Sequence, residues 1–259
     1  MAWRFLLEEN VVPAVNLAVE EAIMRARREG LCPDTLRVWR NDRSVIVGCH
    51  SDVKAEVDLD ACRRMKVEVL RRTSGGSAVY HDLGNINYSF VVRERALGAR
   101  CEVLDVYRHF SEPILQGLRL LGVETEFRSP NALFLNEKKI SGMAQHRFYD
   151  VILFHGTLLV DSDLAMLSTL LLNPKHEVTN ISLELRESLP VEKVANAIRT
   201  GVREFFDTQV EEGELAPSEK TLAEELLERK YRSYSWNLGD DQEPFCRLGS
   251  DRAVSSVAV

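Results

Sequence analysis

Cysteine is scarce and unpatterned in this 259-residue chain: Cys32, Cys49, Cys62, Cys101 and Cys246 are odd in number, scattered, and include no CxxC pair. Neither a disulfide framework nor a zinc site is expected from them. Long apolar runs are missing as well. No stretch approaches the roughly 20 residues of a membrane span, and the first residues lack the charged-then-apolar layout of a signal peptide. The expectation is a protein of the cytoplasm with no membrane partner. Net positive charge is also lacking. The formal net charge is −7, which argues against a nucleic-acid partner held by global attraction. There are no internal repeats and no low-complexity tract. An apolar fraction of 45% is ordinary for a globular protein with a sizeable core, and the length fits one large domain or a domain with a small appendage.

Periodicity places the elements. Val15, Val19, Ala22, Ile23 and Ala26 fall at helical spacing and predict a helix over 14–29 that ends at Gly30. Leu36 to Arg40 and Ser44 to Gly48 read as a hairpin turning at Asn41-Asp42-Arg43. Asp58 is placed to cap a short helix through Met65, and Asp105 to cap a long one that stops at Gly122. Strands are expected at 67–70, 86–92, 123–127, 132–135, 141–147 and 151–160, with helices near 162–172, 191–206 and 218–231. Hairpin-like strands with interspersed helices argue for an α+β fold, a mostly antiparallel or mixed central sheet flanked by helices. The folded unit is expected to span 1–239, with 240–259 a flexible tail.

Between two of those strands lies the run Arg71-Arg72-Thr73-Ser74-Gly75-Gly76-Ser77-Ala78-Val79-Tyr80-His81-Asp82-Leu83-Gly84-Asn85. Adjacent glycines let a backbone loop approach a ligand closely, with N–H groups aimed at anionic oxygens. The two arginines add fixed charge and planar donors for phosphate or carboxylate. The loop leads into a strand, whereas a dinucleotide fingerprint leads into a helix. These residues point to a site for an acidic, phosphorylated small molecule.

Two further segments carry chemistry. Lys138-Lys139-Ile140-Ser141-Gly142-Met143-Ala144-Gln145 offers an ammonium at Lys139 that can stabilise negative charge developing on phosphate and carbonyl oxygens, although a lysine beside Asn136-Glu137 also suits an exposed turn. His155-Gly156-Thr157-Leu158-Leu159-Val160 reads as a strand lining a pocket, with His155 a hydrogen-bonding member rather than a base and Gly156 clearing space for a neighbour. Asn85 and Asn87 alternate with Ile86 and suit either ligand hydrogen bonding or a strand end.

Taken together these segments resemble the lipoate–protein ligases and their octanoyltransferase relatives, which carry an Arg-Arg-x-Ser/Thr-Gly-Gly-Gly-Ala-Val-x-His-Asp run, a Lys-x-Ser/Ala-Gly-x-Ala segment and a His-Gly-Thr/Ser-Leu-Leu strand in this order. Asn16 to Ala22, Val178-Thr179-Asn180-Ile181, and Lys230-Tyr231 followed by Trp236-Asn237-Leu238-Gly239 extend the resemblance over about residues 5–239. Ser77 departs from the pattern, where a third glycine is usual, and bears on the loop's fine geometry. The resemblance implies the biotin/lipoyl ligase fold and ATP-dependent formation of lipoyl-AMP. It implies Lys139 as the catalytic residue, and Arg72, Ser74, Gly75, Gly76, Ser77, Ala78, Val79, His81, Asn85, Asn87, Ser141, Gly142, His155, Gly156 and Thr157 as substrate- and adenylate-binding residues. Val79, Leu158 and the Val45–Val47 strand are candidates for an acyl tunnel, while His81 and Asp82 are expected to fix the loop.

ATP, Mg and lipoate are the implied ligands, with Mg bound mainly through phosphates. The implied acceptors are apo lipoyl domains of a 2-oxoacid dehydrogenase acyltransferase subunit or a glycine-cleavage H protein. Arg63, Arg64 and Lys66 are the candidate docking patch for such an acidic domain, if they are not simply a solvated helix face. The transferases need a cysteine either after an Asn-Pro pair or on the loop before the lysine motif; here Lys175 follows Asn173-Pro174, and the loop reads Ser129-Pro130-Asn131-Ala132-Leu133. Cys49 is the one thiol placed to border the pocket. The ligase reading is therefore preferred over a transferase drawing on acyl carrier protein, a biotin–protein ligase, or a non-catalytic lipoate carrier. Because about twenty residues follow the Trp-Asn signature, a separate small accessory subunit is expected to assist activation.

Overall fold

The computed structural model describes residues 2–97 and 102–239, so the expected tail at 240–259 lies outside the described residues. In chain order the elements are β1 (Trp3–Leu7), α1 (Pro13–Glu29), β2 (Thr35–Trp39), β3 (Ser44–Val47), α2 (Val53–Glu56), α3 (Leu59–Met65), β4 (Glu68–Arg71), β5 (Val79–His81) and β6 (Asn85–Arg93). There follow α4 (Val103–Leu120), β7 (Glu126–Arg128), β8 (Ala132–Leu135), β9 (Lys138–Phe148), β10 (Val151–Leu159), α5 (Leu164–Leu170), α6 (Ile181–Leu185) and α7 (Val191–Phe205). The described chain closes with β11 (Val210–Glu212), α8 (Pro217–Leu226), a π-helical turn (Leu227–Tyr231) and α9 (Tyr234–Asn237).

An eight-stranded sheet in the order β11-β1-β2-β6-β10-β9-β8-β7 organises the molecule, and a three-stranded sheet β4-β3-β5 lies beside it. From β2 to β7 every pairing in the large sheet is antiparallel, while β11, β1 and β2 run parallel. The predicted mostly antiparallel or mixed sheet flanked by helices is thus the observed fold.

Strand alternation sorts the side chains. On one face Ile86, Tyr88, Phe90, Ile152, Phe154 and Leu158 pack against Val106, Phe110 and Ile114 of α4 and Val194, Ile198 and Val202 of α7. On the other face Val91, Val151 and Leu153 meet Leu17, Ala18 and Ala22 of α1. The small sheet builds its own cluster from Val45, Val47, Tyr80 and the buried side of α3 and α5.

Several boundaries follow the sequence closely. α1 starts with Pro13 in its first turn and ends where Gly30 adopts φ 76°; Asp58 caps α3 by accepting from Ala61 N at 2.8 Å; Gly122 follows α4 with φ 77°. The predicted hairpin over 36–48 does not form. β2 pairs with β6, whereas β3 pairs with β4 and β5, so the Asn41-Asp42-Arg43 segment carries the chain from one sheet to the other. Asn41 serves that crossing rather than a turn: its Oδ1 accepts from Asn16 Nδ2 at 2.8 Å and its Nδ2 donates to His81 Nδ1 at 2.9 Å. Asp105 sits inside the first turn of α4, because the helix begins earlier with Glu102 as its N-cap residue.

The C-terminal elements are locked to α1 by a buried ionic group. Glu21 Oε2 accepts from Lys230 Nζ at 2.8 Å and from Tyr231 Oη at 2.5 Å, and Oε1 accepts from Arg25 at 2.6 Å. Burial alone pushes the Glu21 carboxyl up, but Lys230 and Arg25 hold it below the usual carboxylate range. Lys230 also lies 4.0 Å from the Trp236 ring centre. Glu21→Ala strands a buried ammonium, so it is expected to lose about 3–5 kcal/mol of stability by urea unfolding. A loss below about 1 kcal/mol would mean that the pair is not buried as described.

Candidate active site

The glycine run becomes the loop between β4 and β5, and Arg72 dictates its shape. The guanidinium is buried, and its donors go to main-chain and side-chain oxygens of the protein: Nη2 donates to Gly75 O at 2.6 Å and Ser77 O at 3.0 Å, Nη1 to Ile46 O at 3.0 Å, and Nε to Ser74 Oγ at 3.0 Å. Turning those carbonyls inward leaves the N–H groups of Thr73, Ser74, Gly75, Gly76 and Ser77 with no acceptor among the described residues. Gly76 and Ser77 are exposed at the loop's tip. Successive unpaired N–H groups on an exposed tip form an anion-binding concavity.

The loop's tight bend needs Gly76, whose φ is +90°, and it needs Gly48 beneath it, where a Cβ would lie 2.0 Å from Gly76 O. Ser77 is not among the positive-φ residues, so serine fits there without backbone strain. Ala78 N donates to Glu56 Oε2, and Ser51 Oγ donates to Gly76 O at 3.1 Å. Arg71 plays a similar bracing part: it donates to Gly48 O at 2.8 Å, Ser51 O at 3.0 Å and Trp236 O at 2.9 Å, while Asn237 Oδ1 accepts from its N–H. The Trp-Asn signature is therefore a clasp on the strand that feeds the loop.

Lys139 lies at the start of β9, half-buried and with no side-chain partner among the described residues. A bulge in the β8–β9 pairing, where Leu133 faces Ser141 but Phe134 faces Lys139, sets its direction. A Cβ on Gly142 would lie 3.3 Å from Lys139 Nζ, so that glycine leaves room for the ammonium. Burial first, and then the neighbouring ammonium of Lys175, push the Lys139 pKa below its ordinary value. Residues 177–179 close its outer edge: Lys139 N donates to Glu177 O at 2.9 Å and Thr179 N to Lys139 O at 3.1 Å. The Val178-Thr179 segment thus sits beside the lysine. Lys175, which follows Asn173-Pro174, contributes a second cation.

His155 and Thr157 project from β10 on the α1 side of the sheet, toward the loop. Thr157 Oγ1 accepts from Gly142 N at 3.4 Å. Asn85 and Asn87 occupy the same face of β6 opposite Leu159 and Thr157. Asn85 Nδ2 donates to Asn87 Oδ1 at 3.0 Å, leaving Asn85 Oδ1 and Asn87 Nδ2 buried without partners. Orphaned atoms of this kind call for a ligand or water. Ser141 and Gly156 instead face the α4/α7 core. Ser141 Oγ lies 3.4 Å from Tyr88 Oη, and a Cβ on Gly156 would lie 2.4 Å from the same Oη. What Gly156 clears room for is a tyrosine ring. The three acyl-tunnel candidates also separate: Leu158 is in that core, Val45 and Val47 are in the small-sheet cluster, and Val79 packs on the α1 cluster.

His81 fixes the loop through Asn41 rather than meeting solvent. Burial, then Arg72 and His155, push its pKa down to about 3, so the ring is neutral. Asp82 caps the following turn, accepting from Gly84 N at 2.9 Å and Asp163 N at 2.8 Å. Cys49 is buried with its N–H donated to Ser74 O at 2.9 Å. Arg63 and Arg64 are exposed on α3, with Arg63 paired to Asp60. Among the described residues no three His, Cys, Asp or Glu side chains group as a metal site.

One participant carried no motif of its own. Glu20 of α1 is buried, and its Oε1 accepts from His155 Nδ1 at 2.9 Å, while His155 Nε2 lies 2.6 Å from Ser74 Oγ. The available signal was a pair of carboxylates, Glu20-Glu21, inside an otherwise apolar helix.

Three comparisons bear on this site. A family model, the lipoyl protein ligase A/B catalytic domain, matches residues 12–203. The chain is 31% identical to the bi-partite lipoate protein ligase of Thermoplasma acidophilum, solved in a study of that enzyme and its E2 lipoyl domain, covering 92% of this chain and 97% of that one with a TM-score of 0.83. A lipoate-protein ligase A structure with bound ATP is 32% identical over 92% of this chain and 99% of its own, with a TM-score of 0.84. The octanoyltransferase LipM of Geobacillus kaustophilus is 30% identical, covering 91% of this chain and 97% of that protein.

The neutral state of His81 predicts an acid liability. Between the ordinary histidine pKa near 6.5 and about 3 the unfolded chain binds the extra proton, so stability falls as pH drops through that window. His81→Gln, which keeps an acceptor for Asn41, should flatten the pH 7 to 5 decline in urea stability by up to about 1.4 kcal/mol per pH unit. An unchanged decline would show that His81 titrates normally.

Proposed function

Because the chain belongs to the lipoyl protein ligase A/B catalytic-domain family, we propose that it activates lipoate with ATP to lipoyl-AMP and transfers the lipoyl group to a lysine of a lipoyl-domain acceptor. The observation that carries the ligase reading is the Lys139 ammonium, without a partner among the described residues and beside Lys175, in a chain that also presents a loop of free N–H groups. Like charges held together without a carboxylate suit a polyanionic ligand, and the positions where a transferase thiolate would stand hold Lys175 and Ser129-Pro130-Asn131 instead.

In the first step a lipoate carboxylate oxygen attacks the α-phosphorus and pyrophosphate leaves. Lys139 and the loop N–H groups bear on the oxygens that gain charge, which is where fixed donors lower a barrier. Mg2+ would supply charge neutralisation on the phosphates, with Asn85 Oδ1 a candidate oxygen because it lacks a partner. In the second step the acceptor amine attacks the acyl carbonyl and AMP leaves. Lys139 remains beside the carbonyl and phosphate oxygens through both. The acceptors are apo lipoyl domains, in keeping with the E2 lipoyl domain studied with the Thermoplasma relative, and a separate small subunit assists activation as that enzyme's bi-partite description suggests. The LipM likeness keeps a second reading open, octanoyl transfer from an acyl carrier without ATP, in which Cys49 would be the thiol beside the loop.

Intact mass of an apo lipoyl domain after incubation with the chain, lipoate and Mg-ATP tests this. A lipoyl increment with the chain alone supports the ligase and removes the need for the accessory subunit. An increment only from an octanoyl carrier, abolished in Cys49→Ser, overturns the ligase reading. Lys139→Ala should lower adenylate formation and transfer by at least about 100-fold with an unchanged circular dichroism spectrum; near-normal rates would remove the central residue.

A further inference from the structure

An open cavity of about 390 Å³ lies between α1 and α8, outside the candidate site. Its floor is apolar, with Val15 and Val19 of α1 on one wall and Leu215, Ala223 and Leu227 on the other. The polar groups at its bottom are already committed. Asn16 Nδ2 donates to Asn10 O and to Asn41 Oδ1, both at 2.8 Å, while Asn16 Oδ1 and the Glu8 carboxylate both take the Arg37 guanidinium. A small polar ligand needs a few convergent free groups, and these are spent on the protein. The walls offer helical periodicity instead. Val12, exposed at the N-cap of α1, and then Val15, Asn16 and Val19 fall at i, i+3, i+4 and i+7. Lys220, Ala223, Glu224 and Leu227 repeat that spacing along α8 and into the π-helical turn that continues it. Two such stripes side by side make a groove of the kind a third helix fills. Charge defines the rim. Glu9 and Glu224 line it, and Glu214 and Glu225 stand at the adjoining positions; all four are exposed and lack a side-chain partner among the described residues. The cation on the lining is Lys220.

We propose that this groove is the docking site for an amphipathic helix of a partner protein, apolar on one face and basic along the borders of that face. The partner helix lays apolar side chains spaced i, i+3 or i+4, and i+7 between Val15 and Val19 on one wall and Ala223 and Leu227 on the other. Its lysines or arginines meet the unpaired carboxylates of the rim. One acidic side chain on the partner meets Lys220 and fixes the register. An acidic helix would set like charge against Glu9 and Glu224, and a neutral one would leave both carboxylates facing apolar surface, so the rim selects a basic helix. α8 runs for 10 residues, about 15 Å, so about three turns of the partner suffice to cover the groove. The proposal stands apart from the ligase reading, because no residue of the floor or rim is among the candidate site residues.

The test uses the full chain with its valine, leucine and alanine methyls labelled for NMR. The probe is a synthetic peptide of about 15 residues, with leucine at i, i+3, i+4 and i+7 spacing and lysine on the borders. Titration should shift the methyls of Val15, Val19, Ala223 and Leu227 and raise the peptide's helicity by circular dichroism. A Kd below about 100 μM at low salt is expected. Two controls separate groove recognition from adhesion to a chain of net charge −7. A scrambled peptide of the same composition, and the same pattern with glutamate in place of lysine, should each bind at least about 10-fold more weakly. Val15→Lys should weaken binding at least about 10-fold. The exposed pair Glu9→Lys and Glu224→Lys, made together, should weaken it at least about 5-fold without moving the urea midpoint, which keeps the test sound if Val15→Lys fails to fold. Equal binding by the scrambled peptide, unmoved groove methyls, or unchanged affinity in the charge-reversed variant overturns the proposal. Groove methyls that shift with protein concentration alone, with a dimer in sedimentation, overturn it in favour of a second copy of this chain.

Discussion

The guanidinium of Arg72 is the constraint on which the site is built. A buried cation with four bonds to loop oxygens and to Ile46 O forces the peptide planes at Gly75 and Ser77 to present their carbonyls inward. On the far side of the Gly75 plane the Gly76 N–H is left without an acceptor, while that of the Ser77 plane, Ala78 N–H, is taken by Glu56. An arginine at such a loop is readily imagined as the group that grips phosphate. In the folded chain its donors are spent on protein oxygens, and the surface left for an anion in the proposed reading is the backbone. The distinction matters energetically, since a guanidinium already committed to carbonyls needs no reorganisation when an anion arrives.

The buried charges of α1 tie this loop to the rest of the molecule in two directions. Glu20 reaches through His155 to Ser74, while Glu21, its neighbour in sequence, holds Lys230 and Tyr231. From there Trp236 and Asn237 return to Arg71, the residue before Arg72. One helical turn thus supports the loop from both of its ends, through hydrogen bonds that are buried at Glu20 and Glu21 and part-buried at Trp236. Asn16, one turn earlier, adds a third support by way of Asn41 and His81.

Much of this was legible before any coordinates. The amphipathic stripe of α1, the Asp58 cap and the strand segments at 132–135 and 151–160 are local features, and local propensities state them. The motifs likewise singled out Lys139, the loop and the asparagine pair as candidates. What could not be read was long-range. Ser44 to Gly48 has the same composition whether it folds back on β2 or joins β4, and only the demand of Asn41 on both Asn16 and His81 decides it. β1 and β11 pair in parallel at more than 200 residues' separation, which no window detects. Ser141 and Gly156 sit within site motifs yet turn to the core, because a motif records residue identity and alternation decides direction. Glu20 was visible only as an oddity, a carboxylate on a buried stripe.

The bulge at Ile140 has a consequence for how this chain tolerates change. It acts as a phase shift in the strand: Lys139 and Gly142 lie on one side although three positions separate them, and Ile140 and Ser141 both lie on the other. Deleting a single residue between Leu135 and Gly142 would restore regular alternation and exchange an ammonium for an aliphatic side chain on the face that carries Gly142. The strand can therefore vary in composition far more freely than in length, and its register is held as tightly as the identity of the lysine it carries.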